Sequence, residues 1–120
     1  MMATIIDYNN KVFKALVNDH TGHVTSNTTF YYYQKGTVLW GTYEGGAIAK
    51  GTIVGKVLAD GKLQYHYQHI TNEGKMYTGY CESTPEAKYN GRIRLFEKWH
   101  WTSGAEGSGT SIVEELSAVS

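Results

Sequence analysis

The chain has 120 residues, and its eleven lysines and arginines balance its eleven aspartates and glutamates, so the formal net charge is zero. This length suffices for a single domain over residues 1–120 with one sizeable core, and it is too short for two ordinary domains. The balanced charge excludes a broad basic surface, so we expect neither nucleic acid nor an anionic membrane as a partner.

Alternation of apolar and polar residues predicts eight strands along the chain. In chain order they cover 11–18, 28–35, 38–44, 47–58, 62–71, 75–84, 92–102 and 110–116. The segments between them, such as QKGT, EGG, ADGK, TNEGK and YNGR, place glycine where hairpin turns need a positive φ, so consecutive strands should be antiparallel neighbours. Only SIVEELSA near the end could also form a short helix, and a strand is favoured there.

The predicted strands favour a closed sheet. An open sheet of eight strands would leave two rows of unpaired backbone groups and an exposed apolar face. We therefore predict an all-β fold, a single antiparallel up-and-down β-barrel of about eight strands with a calycin-like architecture. Such a barrel is either filled by side chains or able to hold one small ligand. The polar segments 19–27 and 103–109 are predicted to be loops at its rim.

The interior of this barrel is predicted from the more apolar face of each strand. The predicted ligand-binding residues are Tyr32, Trp40, Tyr65, Tyr67, Tyr80, Trp99 and Trp101. The same face includes Phe30, Leu63, Met76, Leu95, Ile112 and Glu114, whereas Cys81 should point away from it. Aromatic walls with a few polar groups are typical of a small-molecule pocket.

The segment RLFEKWHWTSG, residues 94–104, places Glu97 between a leucine and two indoles on one face. Burial there would raise the pKa of Glu97, which makes it a candidate acid or base together with His69 or Glu82. The alternative is a structural network, in which an interior tyrosine hydroxyl, or Arg92 or Lys98, satisfies the carboxylate. His69 could equally be a core histidine.

We expect no metal and no cofactor. His66 and His69 lie three positions apart, so a regular strand places them on opposite faces, and there is no P-loop, nucleophile elbow, HExxH, GxGxxG or EF-hand sequence. The single cysteine, Cys81, excludes an internal disulfide and a cysteine-rich zinc site. No long apolar window and no basic secretory n-region are present, so we expect a soluble, cytoplasmic protein.

Three stretches, FYYYQKGTVLWGTYEGGAIAKGTIVG, LQYHYQHITNEGKMYTGYCESTPE and GRIRLFEKWHWTSG, resemble a family of small bacterial proteins labelled n-acetylglutamate synthase. YEGG, YQHI, STPE and E-x-W-x-WTSG are its most specific elements, and the matching positions are Tyr67, His69, Glu97, Trp99 and Trp101. The label implies acetyl-CoA as the donor, but the sequence has no strand-to-helix turn for its pyrophosphate, so we interpret the label as a misassignment. The predicted fold also resembles lipocalin- and avidin-like barrels, by analogy.

Three hypotheses of function follow. The leading one is binding of a small apolar or aromatic molecule in the barrel. The second is a cofactor-free enzyme, an isomerase or cyclase of natural-product type, in which Glu97 with His69 or Glu82 moves a proton. The third is a structural or assembly module that pairs through an exposed strand or through its outer tyrosines, Tyr31, Tyr33 and Tyr77, and it predicts a filled interior and a homodimer. An interior with no void larger than a few waters would argue against the first two.

Overall fold

The structure is a computed structural model that describes residues 6–18, 23–87 and 91–116. Its elements are eight strands: β1 (Lys11–Asn18), β2 (Thr29–Lys35), β3 (Val38–Gly45), β4 (Ile48–Val57), β5 (Leu63–Thr71), β6 (Met76–Ala87), β7 (Ile93–Ser103) and β8 (Ser108–Glu115). Residues 111–115 of the ambiguous segment SIVEELSA lie in β8, which favours the strand, and its residues 117–118 lie outside the described residues. Residues 19–22 of the predicted first loop, and 89–90 of the YNGR turn, lie outside the described residues.

The eight strands form one closed antiparallel barrel in sequence order. Each strand pairs with the next, and β1 closes the sheet against β8, with Phe13 opposite Glu115 and Lys14 opposite Glu114. Closure leaves no unpaired edge, which confirms the predicted up-and-down barrel. No helix long and apolar enough to cross a membrane occurs among the residues that the structure describes.

One end of the barrel is filled by aromatic side chains. Tyr8, which precedes β1, is fully buried, and its hydroxyl donates to the carbonyl oxygen of Gly61 in the β4–β5 turn at 2.7 Å. Its ring lies 6.4 Å from that of Tyr32, which in turn lies 5.0 Å from Phe13. These contacts place a dense core at the end that carries the β2–β3 and β4–β5 turns, so any open interior space lies toward the other end.

The predicted inward faces are confirmed in β2, β5 and β7. Phe30 and Tyr32, Leu63 and Tyr65, and Leu95 and Trp99 are all buried. Each of these strands carries large side chains at alternate positions on one face, so the apolar count identifies the inward face correctly.

The predicted inward faces of β3, β6 and β8 are wrong. The residues that lie on the outer face instead are Trp40, Met76, Tyr80, Glu82, Ile112 and Glu114. The side chains that point inward there are smaller or different: Leu39, Gly41 and Tyr43 in β3, Gly79, Cys81 and Ser83 in β6, and Ser111 and Val113 in β8. Cys81, predicted to face away, is therefore buried inside the barrel.

Inward glycines explain part of the error, because Gly41 in β3 and Gly79 in β6 lie on the inward face without a side chain, and two glycines of the barrel show how closely rings pack there. A Cβ atom on Gly51 would overlap the ring of Tyr43, and one on Gly79 would overlap the ring of Tyr67. The tyrosine rings thus lie over the backbone of the neighbouring strand, in space that only glycine leaves open. An apolar count gives no weight to glycine, so it favours the outer face of such strands.

Candidate functional site

A cavity lies within the barrel toward the end opposite Tyr8. Its aromatic walls are Phe30, Tyr43, Tyr65, Tyr67, Trp99 and Trp101. Its polar groups are His23, His69, Cys81, Glu97 and Ser111. The cavity volume is about 40 Å³, which is room for about three waters and far less than the roughly 150 Å³ of a cavity that accepts benzene. In this conformation the side chains fill most of the barrel, and the void is no larger than a few waters. This is the outcome that argues against the binding and enzyme hypotheses for any larger molecule, unless a side chain at the rim moves.

Glu97 is the polar centre of this cavity. Its Oε2 accepts hydrogen bonds from the Tyr65 hydroxyl at 2.9 Å and from the Ser83 hydroxyl at 3.0 Å, and its Oε1 accepts one from the Ser111 hydroxyl at 2.9 Å. The donors from Ser83 and Ser111 lie on β6 and β8, which pair with β7, and the donor from Tyr65 lies on β5, one strand further away. Lys98, considered as a partner from the sequence, is exposed on the outer face.

Burial controls the charge of Glu97. Removal of the carboxylate from water raises its pKa, and the hydrogen bonds from Tyr65, Ser111 and Ser83 act in the opposite direction. The same burial, with the nearby negative charge of Glu97, raises the pKa of the Cys81 thiol well above its usual range. Cys81 is therefore a thiol and not a thiolate at neutral pH, and it is a poor nucleophile.

A histidine pair lies where the cavity meets the rim. His69 Nδ1 lies 2.8 Å from the Tyr43 hydroxyl, and His69 Nε2 lies 2.9 Å from Nδ1 of His23. Burial, followed by the neighbouring His23, lowers the pKa of His69 to about 4, and burial also lowers the pKa of His23. Both imidazoles are therefore neutral at pH 7, and both nitrogens of His69 and Nδ1 of His23 each face a donor or an acceptor.

Aromatic rings surround this pair. His23 lies 4.5 Å from the ring of Tyr77 and 5.2 Å from that of Trp101, measured between centroids. Tyr67 is partly buried and lies 5.9 Å from Trp101. Tyr77, predicted to be an outer-face residue for assembly, instead packs against the rim of the cavity, so that prediction is wrong. Together these partly buried side chains form the rim of the cavity, which stays partly open to solvent.

The structure brings together most of the predicted site residues. Tyr65, Tyr67, His69, Glu97, Trp99 and Trp101 all line the cavity. Tyr32 is buried in the dense core against Phe13 instead, and its hydroxyl has no hydrogen-bond partner among the described residues. Trp40, Tyr80 and Glu82 lie outside the barrel, where Trp40 stacks on Tyr33 at 6.0 Å.

Several cavity residues were not predicted from the sequence. His23 comes from a loop without a pattern, whereas Tyr43, Cys81 and Ser111 come from the three strands whose faces were wrong. Ser83, from the same strand as Cys81, does not line the cavity but donates a hydrogen bond to Glu97. The signal that could have found Cys81 is the glycine two residues before it, Gly79, because the ring of Tyr67 occupies the space that a Cβ atom on Gly79 would fill.

No metal site accompanies the cavity in the part of the chain that the structure describes, where no three His, Cys, Asp or Glu side chains are grouped to hold an ion. A protein-family model described as "Avidin-like protein" matches residues 6–116. Comparison with curated proteins and with solved structures gives no match.

Proposed function

The chain belongs to the avidin-like protein family, and we propose that its barrel binds a small, largely apolar or aromatic molecule in the cavity beside Glu97. One observation carries this proposal: six aromatic rings surround a buried carboxylate inside a closed barrel. Aromatic walls supply apolar contact area, and a single polar group fixes the orientation of a bound molecule.

The cavity volume limits the size of the ligand. About 40 Å³ accommodates about three non-hydrogen atoms without rearrangement. The best small ligands gain about 1.5 kcal/mol per non-hydrogen atom, so such a ligand would reach a dissociation constant of about 0.5 mM at best. A benzene-sized molecule requires a rim side chain, His23, Tyr67 or Trp101, to move outward. Rotation of a partly exposed ring is the smallest such movement.

The proposal is tested by the indole NMR signals of the three tryptophans. Xenon and phenol are titrated into the full chain, xenon as a small apolar probe and phenol as an aromatic one. Trp99 and Trp101 line the cavity and should shift, while Trp40 on the outer face should not. If no titration moves the Trp99 signal, the interior is closed to ligands, and the structural hypothesis replaces this proposal.

A matched pair of variants localises the binding. Ile53 is 1% exposed and lines the cavity, whereas the next residue, Val54, is 63% exposed on the outer face. Ile53→Phe should fill the cavity and abolish the shifts, and Val54→Phe should leave them unchanged. Thermal melts establish that both variants are folded. If both variants lost the ligand-induced shifts of the indole signals equally, binding inside the barrel would be contradicted.

A second candidate function, a cofactor-free isomerase or cyclase, is supported by Glu97 and His69 lining one cavity. Burial raises the pKa of Glu97 and lowers that of His69 to about 4, so Glu97 holds a proton more tightly than His69, which assigns Glu97 as the acid and neutral His69 as the base. Glu82 has no part in this proposal because it lies on the outer face. Hydrogen–deuterium exchange into acetone in D₂O tests it: acceleration that Glu97→Gln removes supports the candidate, and no acceleration argues against it.

A further inference from the structure

No cationic side chain forms an ion pair with Glu97 among the residues that the structure describes. The influences on its pKa are burial and three hydroxyl hydrogen bonds, and no positive charge is among them. The ion pairs of the described residues lie elsewhere, for example Lys50 with Glu44 and Arg94 with Glu114. Ionised Glu97 is thus a negative charge in a low-dielectric site without a counter-charge, an arrangement that is unfavourable until a cation pairs with it.

The carboxylate also has an unused acceptor site. Two carboxylate oxygens offer about four lone-pair positions. Tyr65 and Ser83 occupy two on Oε2, and Ser111 occupies one on Oε1. One position on Oε1 therefore remains for an N–H or O–H donor that enters the cavity.

The walls favour positive charge as well. Trp99 and Trp101 both line the cavity, and their ring centroids lie 5.4 Å apart. Indole and phenol faces attract cations, and this attraction is larger where water is excluded. His23 and His69 are neutral at pH 7, so they add no opposing positive charge.

On the basis of the binding function proposed above, we propose that the preferred ligand is a small organic cation, a protonated amine with a free N–H group. The N–H group donates to Oε1 of Glu97, and the alkyl part lies against Trp99 and Trp101. Ethylammonium, with three non-hydrogen atoms, matches the cavity volume of about 40 Å³.

The test compares ethylammonium chloride with ethanol, a neutral molecule with the same number of non-hydrogen atoms, at constant ionic strength. Both are titrated into the full chain while the indole signals of Trp99 and Trp101 are recorded. Charge-assisted hydrogen bonds are about twice as strong as neutral ones, so ethylammonium should bind at least about tenfold more tightly than ethanol.

Two matched variants follow. Glu97→Gln should remove the preference for ethylammonium, whereas Glu82→Gln, the same change on the outer face, should retain it. A thermal melt establishes that Glu97→Gln is folded. The comparison of ethylammonium with ethanol on the wild-type protein does not depend on this variant. If ethanol binds as tightly as ethylammonium, or if xenon binds and ethylammonium does not, this inference fails while the binding function stands. If none of the probes binds, both fail.

Discussion

Removal of the Glu97 side chain tests whether this carboxyl group supplies the hydrogen-bond acceptors for the buried hydroxyl groups inside the barrel. In Glu97→Ala, the hydroxyls of Tyr65, Ser83 and Ser111 lose their acceptor while they remain buried. An unsatisfied buried donor costs about 1 to 3 kcal/mol. At the lower value, three donors give about 3 kcal/mol, and the space left by the side chain brings the expected loss to about 3 to 5 kcal/mol.

Glu97→Gln should behave differently. Tyr65 and Ser83 both donate to one oxygen, Oε2, so the amide oxygen can take its place. The amide NH₂ then faces the Ser111 hydroxyl, which has lone pairs to accept it. All three hydrogen bonds are kept and an amide of the same shape replaces the carboxyl group, so we expect the free energy of unfolding to change by no more than about 1 kcal/mol.

Urea denaturation at pH 7 measures both changes. With about 2.1 cal/mol/K of unfolding entropy per residue, 120 residues give about 0.25 kcal/mol/K, so the alanine variant should also melt about 12 to 20 °C below wild type. Glu82→Ala on the outer face serves as the control and should stay within about 0.5 kcal/mol. A glutamine variant as unstable as the alanine variant would refute the hydrogen-bond argument, and a silent alanine variant would refute the burial of Glu97.

Three further predictions concern other parts of the barrel. Trp99→Ala should cost about 3 to 5 kcal/mol because the indole is buried, whereas Trp40→Ala should cost less than about 1 kcal/mol; equal denaturation midpoints would contradict the assigned faces. Gly51→Ala should destabilise by about 1 to 3 kcal/mol because its methyl group displaces the ring of Tyr43, and an unchanged midpoint would show that the ring moves freely. His69 has a pKa of about 4 in the fold against 6.5 unfolded, so the unfolded chain binds more protons between these values and stability falls as pH drops from 7 toward 4. His69→Gln should reduce this loss of stability, measured as urea midpoints between pH 7 and pH 4. A variant with the same pH dependence as wild type would contradict the lowered pKa of His69.

Some expectations from the sequence stay predictions. The structure does not test whether residues 1–120 act as a single domain, where in the cell the protein is found, or whether it pairs with a second copy. The expectation that the chain uses no acetyl-CoA also stays a prediction. The cellular location, the pairing and the use of acetyl-CoA depend on molecules outside the barrel, and the pattern of a strand does not indicate them.

The sequence alone determined the strands, their antiparallel order and the closure of the sheet. Alternation and glycine-containing turns are local signals, and closure follows from the cost of unpaired edges. It also placed Glu97 correctly inside, because Leu95 and Trp99 mark the same face of β7 with large side chains.

Only the tertiary structure decided the other half of the site. The faces of β3, β6 and β8 depend on how much room the barrel leaves, and the rings of Tyr43 and Tyr67 fit only over glycine in the neighbouring strand. Likewise, nothing in the sequence distinguishes Ser83 and Ser111 from other polar residues. Only the curvature of the barrel brings their hydroxyls to Glu97. Space inside a closed barrel is shared by all eight strands, so the pattern of one strand cannot show which of its faces will fit.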